Sequence, residues 1–220
     1  MKVGTDAVLL GAWAGVEQCR RVLDLGCGSG VIALMVAQRA PEAQVTGIDI
    51  DEAAVGQAEE NGAASPFAQR VSFLTCDVRN FQDAEGFDAI VCNPPFYTED
   101  TLPPDSLRAV ARHSHDLTFA QLLHHAVRLL RPDGHLHVVL PAGAEPQFSQ
   151  LCLAEGLYPA RLCTIKTTPR KSPKRVLCTY SKVLSQQVVF EQLILMENGA
   201  RSEDYQRLTA DFYLDFPRPS

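Results

Sequence analysis

The run RVLDLGCGSGVIALMVAQR, residues 21–39, constrains this chain more than any other. A short apolar segment ends in three alternating glycines, Gly26, Gly28 and Gly30, and passes at once into a segment of helical composition. Glycine adopts backbone angles that other residues avoid and lets a ligand approach the main chain. The following helix aims its first N–H groups at the same point. A strand, a glycine bend and a helix in that order build a parallel sheet that binds ligands at the bend. The spacing is G-x-G-x-G. A dinucleotide site, G-x-G-x-x-G, needs glycine at position 31, where Val31 stands.

The rest of the chain continues the alternation. Residues 43–50 and 70–77 read as the second and third strands, ending at Asp49 and Asp77, and residues 51–63 as the helix between them, capped by Asn61-Gly62. Residues 87–93 form a fourth strand, apolar almost throughout, as a strand covered on both faces should be. A helix over 118–130 stops at Pro132-Asp133-Gly134, and a fifth strand follows at 135–141. A helix over 145–156 leads to two closing strands, 160–167 and 175–184, which are antiparallel because no helix joins them. The expectation is an α/β fold: a mostly parallel sheet with an antiparallel late strand and helices on both faces. Residues 1–184 form the main domain. Residues 185–220 read as an extension on it, one strand and one short helix with Ser202 as N-cap.

Composition excludes several classes. Apolar residues make up 46% of 220, enough for a large core. The seven cysteines are scattered without a CxxC pair, which reads as reduced thiols in a cytoplasmic protein. The start lacks a basic-then-apolar leader, and no run of 18 apolar residues suggests a membrane span. Net charge is −6, against nucleic acid as a whole, yet Lys166, Arg170, Lys171, Lys174 and Arg175 fall within ten residues. All six histidines lie between 113 and 137 without a metal-binding spacing. No metal is expected. His113 is the one closest to the fourth strand's turn. Trp13 reads as a core anchor.

VLDLGCGSG resembles the cofactor loop of the class I S-adenosylmethionine-dependent methyltransferases. The resemblance implies a Rossmann-like fold with a seven-stranded sheet, S-adenosylmethionine as cofactor and S-adenosylhomocysteine as product. It places Asp49 on the ribose hydroxyls, Asp77 on the adenine amino group, and Asp24, Ile50, Val78 and Asn93 beside them. A carboxylate suits the first task because it accepts two hydroxyl hydrogen bonds at once.

The turn after the fourth strand, Asn93-Pro94-Pro95-Phe96, resembles the [D/N/S]-P-P-[Y/F/W] motif of methyltransferases acting on planar nitrogens. The lone pair of an exocyclic amine is delocalised into its ring. Acceptors for its two hydrogens, the Asn93 side-chain oxygen and the Pro94 carbonyl, favour a more tetrahedral nitrogen. Phe96 stacks on the ring, an interaction of about 1–3 kcal/mol per base. In-line placement could contribute roughly 7–11 kcal/mol. The motif alone leaves adenine N6, guanine N2 of ribosomal RNA and a protein glutamine amide open, as well as a module that binds cofactor without turnover.

MKVGTDAVLLGAW at the start, ARHSHDLTFAQLL, PDGHLHVVLP and the terminal SEDYQRLTADFYL extend the resemblance to the bacterial valine-tRNA adenine N6-methyltransferases. It implies methylation of an anticodon-loop adenine, with Lys2, Gly4, Thr5 and Asp6 walling the cofactor's methionine end. Members usually carry a further segment before this stretch, whereas Met1 opens it here. KTTPRKSPKR, 166–175, then becomes a semi-rigid phosphate-binding loop on the substrate side, with Tyr97 a further RNA contact; a solvated hairpin tip is the alternative. The expected partner is tRNA; the sequence does not give the oligomeric state, for which a monomer is the expectation.

Overall fold

Strand β1 (Arg21–Leu25) lies inside the sheet, paired in parallel with β2 (Gln44–Asp49) on one side and β4 (Phe87–Cys92) on the other. The structure, a computed structural model, describes residues 4–94 and 117–213. β3 (Val71–Thr75) extends the sheet beyond β2, and β5 (Leu130–Pro141) extends it beyond β4, both in parallel. β7 (Arg175–Ser181) then inserts antiparallel between β5 and β6 (Tyr158–Lys166). β8 (Val189–Ile194) closes the edge parallel to β6, so the order is β3-β2-β1-β4-β5-β7-β6-β8. The sheet therefore has eight strands. Seven follow the expected arrangement; the eighth comes from the 185–220 extension, whose backbone finds the free edge of β6.

The strands alternate between two apolar layers, which is why β1 and β4 carry no polar face. Val22, Ala89 and Val91 point into the layer that holds α1 (Thr5–Trp13) and α2 (Val31–Arg39). Leu23, Leu25, Ile90 and Cys92 point into the layer under α4 (Phe119–Leu129) and α5 (Glu145–Ala154). The seven cysteines are free, five of them buried.

Helix α3 (Glu52–Ala64) follows β2 and corrects one expectation. Asn61-Gly62 does not end it. Gly62 lies inside the helix because the Phe73 ring packs there: a Cβ would come within 2.9 Å of it. Asn61 instead turns its amide to the carbonyl of Ser29 at 2.9 Å, tying the helix to the glycine bend.

The last helix, α6 (Glu203–Thr209), starts as its sequence predicts, with Ser202 Oγ accepting from the N–H of Tyr205 at 3.1 Å. Tyr205 joins the core cluster that contains Leu9, Leu10 and Trp13. Trp13 is buried, donates from Nε1 to Glu191 on β8 at 2.8 Å, and lies under the Arg161 guanidinium. It is an anchor between α1, β6 and β8. Among the described residues no helix is long and apolar enough to cross a membrane.

Candidate active site

The bend after β1 is built from left-handed glycines. Gly26, Gly28 and Gly30 have φ of +74°, +53° and +78°. The N–H groups of Gly26 and Cys27 both donate to the carbonyl of Ile48, at 2.9 and 3.0 Å, which folds the bend onto the end of β2. The next N–H, of Gly28, donates to Oδ2 of Asp49 at 2.9 Å. A Cβ at Gly26 would meet nothing within 4 Å, so the bend is open on that side.

Asp24, on β1 just before the bend, is fully buried. Its Oδ2 accepts from the N–H of Ala33 at 2.9 Å and so holds the first turn of α2. Its Oδ1 has no partner among the described residues. Burial pushes its carboxyl up to about 7; the Ala33 N–H opposes the shift and the nearby Asp49 charge adds to it.

Asp49 sits at the end of β2 with Oδ1 accepting from the N–H of Asp51 at 3.0 Å. The two N–H groups fix the carboxylate and leave each oxygen another lone pair. Ile50 beside it is 63% exposed, an apolar surface at the sheet's carboxyl edge. Beyond β3, the Asp77 carboxylate accepts from Nε of Arg79 at 2.8 and 2.9 Å, from Nη2, and from the Arg79 N–H at 2.9 Å. These bonds hold its carboxyl below the usual carboxylate range. Val78 is buried under it. Arg79 was not read from the sequence. An acid and an arginine two positions apart after a strand is the local signal that was available.

The register of β4 brings the second motif to the bend. Leu25 pairs with Cys92, so Gly26 and Asn93 are the next residues out of two neighbouring parallel strands. Asn93 is half-buried and Pro94 buried. Pro95, Phe96 and Tyr97, with His113 and Lys2, lie outside the described residues.

The same edge carries the basic hairpin. Arg175 faces Pro141 across β5 and Ile165 across β6, so residues 166–175 emerge where β1, β4 and β5 end. Arg170, Lys171 and Lys174 are exposed and Lys166 is half-buried. Arg175 differs: its Nε donates to Oδ2 of Asp6 at 2.8 Å. Asp6 is in the first turn of α1, after Thr5 and the N-cap Gly4, both exposed. The structure therefore brings together one expected cofactor residue and one expected RNA residue, in a contact the sequence did not show.

A glycine bend with an acid at or just past each of the next two strand ends, and Asn93-Pro94 just beyond the neighbouring strand at the start of the sequence Asn-Pro-Pro-Phe, defines a class I S-adenosylmethionine-dependent methyltransferase. Comparison with known proteins agrees. Residues 4–149 match the family model of the methyltransferase small domain. The tRNA1(Val) (adenine(37)-N6)-methyltransferase of Bacteroides thetaiotaomicron is 40% identical over 215 residues, covering 97% of this chain and 91% of its own. Its counterpart from Tolumonas auensis is 41% identical over 216 residues, covering 97% and 90%. Among solved structures, the predicted O-methyltransferase Atu636 of Agrobacterium tumefaciens superposes with a TM-score of 0.74 at 21% identity, covering 94% of this chain and 96% of that one. TrmN from Thermus thermophilus gives a TM-score of 0.56 at 25% identity, over 80% of this chain and 48% of that one. The chain belongs to the methyltransferase small domain family and, within it, to that of the tRNA1(Val) (adenine(37)-N6)-methyltransferases.

Proposed function

We propose that the protein transfers the methyl group of S-adenosylmethionine to N6 of adenine-37 in tRNA1(Val). The observation that carries this is the pairing of Leu25 with Cys92, which sets Asn93-Pro94 beside the glycine bend. Relatives about 40% identical over nearly the whole chain bear that activity in their names.

The residues present fit the cofactor. Gly26 leaves the bend open to a ligand, and Gly28 and Gly30 complete the cradle. Asp49 has lone pairs left for two ribose hydroxyls, and Ile50 offers an apolar face to the adenine ring. Asp77 and Val78 meet the ring's polar edge. Asp24 supports the bend from below through Ala33. Lys2, Gly4, Thr5 and Asp6 wall the methionine end. When bound, the cofactor supplies an electrophilic methyl group.

Asn93 and Pro94 orient the nucleophile. The Asn93 side-chain oxygen and the Pro94 carbonyl accept the two amine hydrogens of the target adenine, while Phe96 stacks on its ring. Held this way, the nitrogen would take the methyl carbon as the carbon–sulfur bond gives its electron pair to sulfur, and the proton it then loses would pass to water. The proton leaves a cationic nitrogen, so no strong base is required. An adenine inside a stack cannot reach this edge, so the target nucleotide is turned out. Tyr97 lies next to the clamp in sequence, and Lys166, Arg170, Lys171 and Lys174 meet the phosphates.

The test is methyl transfer to total tRNA from cells lacking the enzyme, followed by nucleoside analysis. N6-methyladenosine at position 37 is the expected product. N2-methylguanosine, methyl on protein, or bound cofactor without product would contradict the proposal.

A further inference from the structure

Arg175 was read from the sequence as one of five cations facing RNA, but its surroundings distinguish it from the others. It is the first residue of β7 and is fixed in register by two neighbours, Pro141 on β5 and Ile165 on β6. Its Nε donates to Asp6 Oδ2 at 2.8 Å, and its Nη1 donates to the carbonyl of Lys174 at 3.1 Å. The two side chains are 33% and 27% exposed, so the ion pair is partly shielded from water. Arg170, Lys171 and Lys174 stand out in solvent on the hairpin itself.

Asp6 gains from this pairing in a specific way. It lies in the first turn of α1, whose N-cap, Gly4, has no side chain to satisfy the helix's free N–H groups. A carboxylate in that turn suits the helix dipole, and its direction is set by the group that holds it. Here that group is a guanidinium 169 positions further along the chain. Taking Arg175 away to bind a phosphate would leave a half-buried carboxylate without this partner.

We propose that Arg175 is a positioning residue of the cofactor site, not a phosphate contact: it fixes the Asp6 carboxylate, and with it the first turn of α1. This rests on the reading of Gly4, Thr5 and Asp6 as the wall of the cofactor's methionine end. Arg175 acts through Asp6, so its loss weakens the cofactor and leaves RNA electrostatics alone. The base of the basic hairpin and the start of α1 are thereby joined through this ion pair.

The experiment measures S-adenosylhomocysteine binding by calorimetry and tRNA binding across a salt series, for wild type, R175A, R175K, D6N and D6N/R175A. R175A should weaken S-adenosylhomocysteine by about tenfold, the scale of one charge-assisted hydrogen bond, with the salt slope for tRNA unchanged. R175K, with its single point charge, should recover part of the loss. The double variant should bind no worse than D6N, because both changes remove one interaction. Should R175A fail to fold, R175K and D6N carry the comparison, each losing cofactor affinity at constant salt slope. The proposal is overturned if Arg175 variants bind S-adenosylhomocysteine as wild type does, or if the slope falls by about 0.7–0.9, one phosphate's worth. Wild-type protein that does not bind S-adenosylhomocysteine defeats the reading of the wall, and the proposal with it, before any variant is compared.

Discussion

Phe73 on β3 lies against Gly30 at the end of the bend. A Cβ built on Gly30 would fall 2.8 Å from Cζ of Phe73 and 3.1 Å from Cβ of Ala58. At Gly26 the same construction meets nothing within 4 Å. Both residues have left-handed backbone angles, +78° and +74°, yet they serve different ends. Gly30 lets α2, α3 and β3 close on one another. Gly26 keeps the space above the bend clear.

Alanine at the two positions should therefore fail in different ways. G30A adds overpacking, about 1–3 kcal/mol, to the left-handed strain of about 1–2 kcal/mol. G26A carries the strain alone and places a methyl group in the open space. Urea denaturation should show the larger loss of stability in G30A. Calorimetry should show the larger loss of S-adenosylhomocysteine affinity, per unit of stability lost, in G26A. Equal losses of both quantities in both variants would remove the distinction.

The buried carboxyl of Asp24 makes stability depend on pH. Its folded value, about 7, lies above its ordinary value of 3.8, so the folded protein binds this proton more tightly than the unfolded chain does. Its contribution is complete below about pH 4, falls as pH rises through about 7, and is level above that. In D24N the amide oxygen can still accept from Ala33, and the titration is gone. Denaturation between those two pH values should show D24N gaining on wild type, by up to about 1.4 kcal/mol per pH unit. A difference constant with pH would contradict this.

Lys171 and Lys174 are exposed on the hairpin at the same edge as Asn93. If both meet phosphates, K171A/K174A loses two contacts. The logarithmic salt slope of tRNA binding should then fall by about 1.4–1.8, with S-adenosylhomocysteine affinity unchanged. An unchanged slope would make the loop a solvated hairpin tip.

Much of this site was legible because its signals are local. Gly26, Asp49 and Asp77 each stand within two residues of a strand end, where apolar runs stop, and Gly28 and Gly30 follow Gly26 directly in alternation. The Asn-Pro-Pro turn is marked by prolines that no central strand accepts. The antiparallel β6–β7 pair followed from the lack of a helix between them. The eighth strand was read as a strand, but its parallel partner β6 depends on which edge is free, and the local pattern does not carry that. Asn61-Gly62 looked like a helix end because glycine weakens helices; the Phe73 ring, from another element, explains the small residue instead. Arg175 looked like its neighbours in a basic run. Its pairing with Asp6 spans most of the chain and belongs to tertiary structure alone.

Asn93 carries the central claim, that an amide oxygen one residue beyond β4 holds the target amine beside the glycine bend. The most direct test is single-turnover methyl transfer to unmodified tRNA by N93A, with S-adenosylhomocysteine affinity measured on the same protein. The account predicts methylation slower by about 10²–10³-fold, the usual cost of removing one preorganised polar partner of a transition state, and a much smaller change in affinity. Transfer at the wild-type rate by N93A would contradict it.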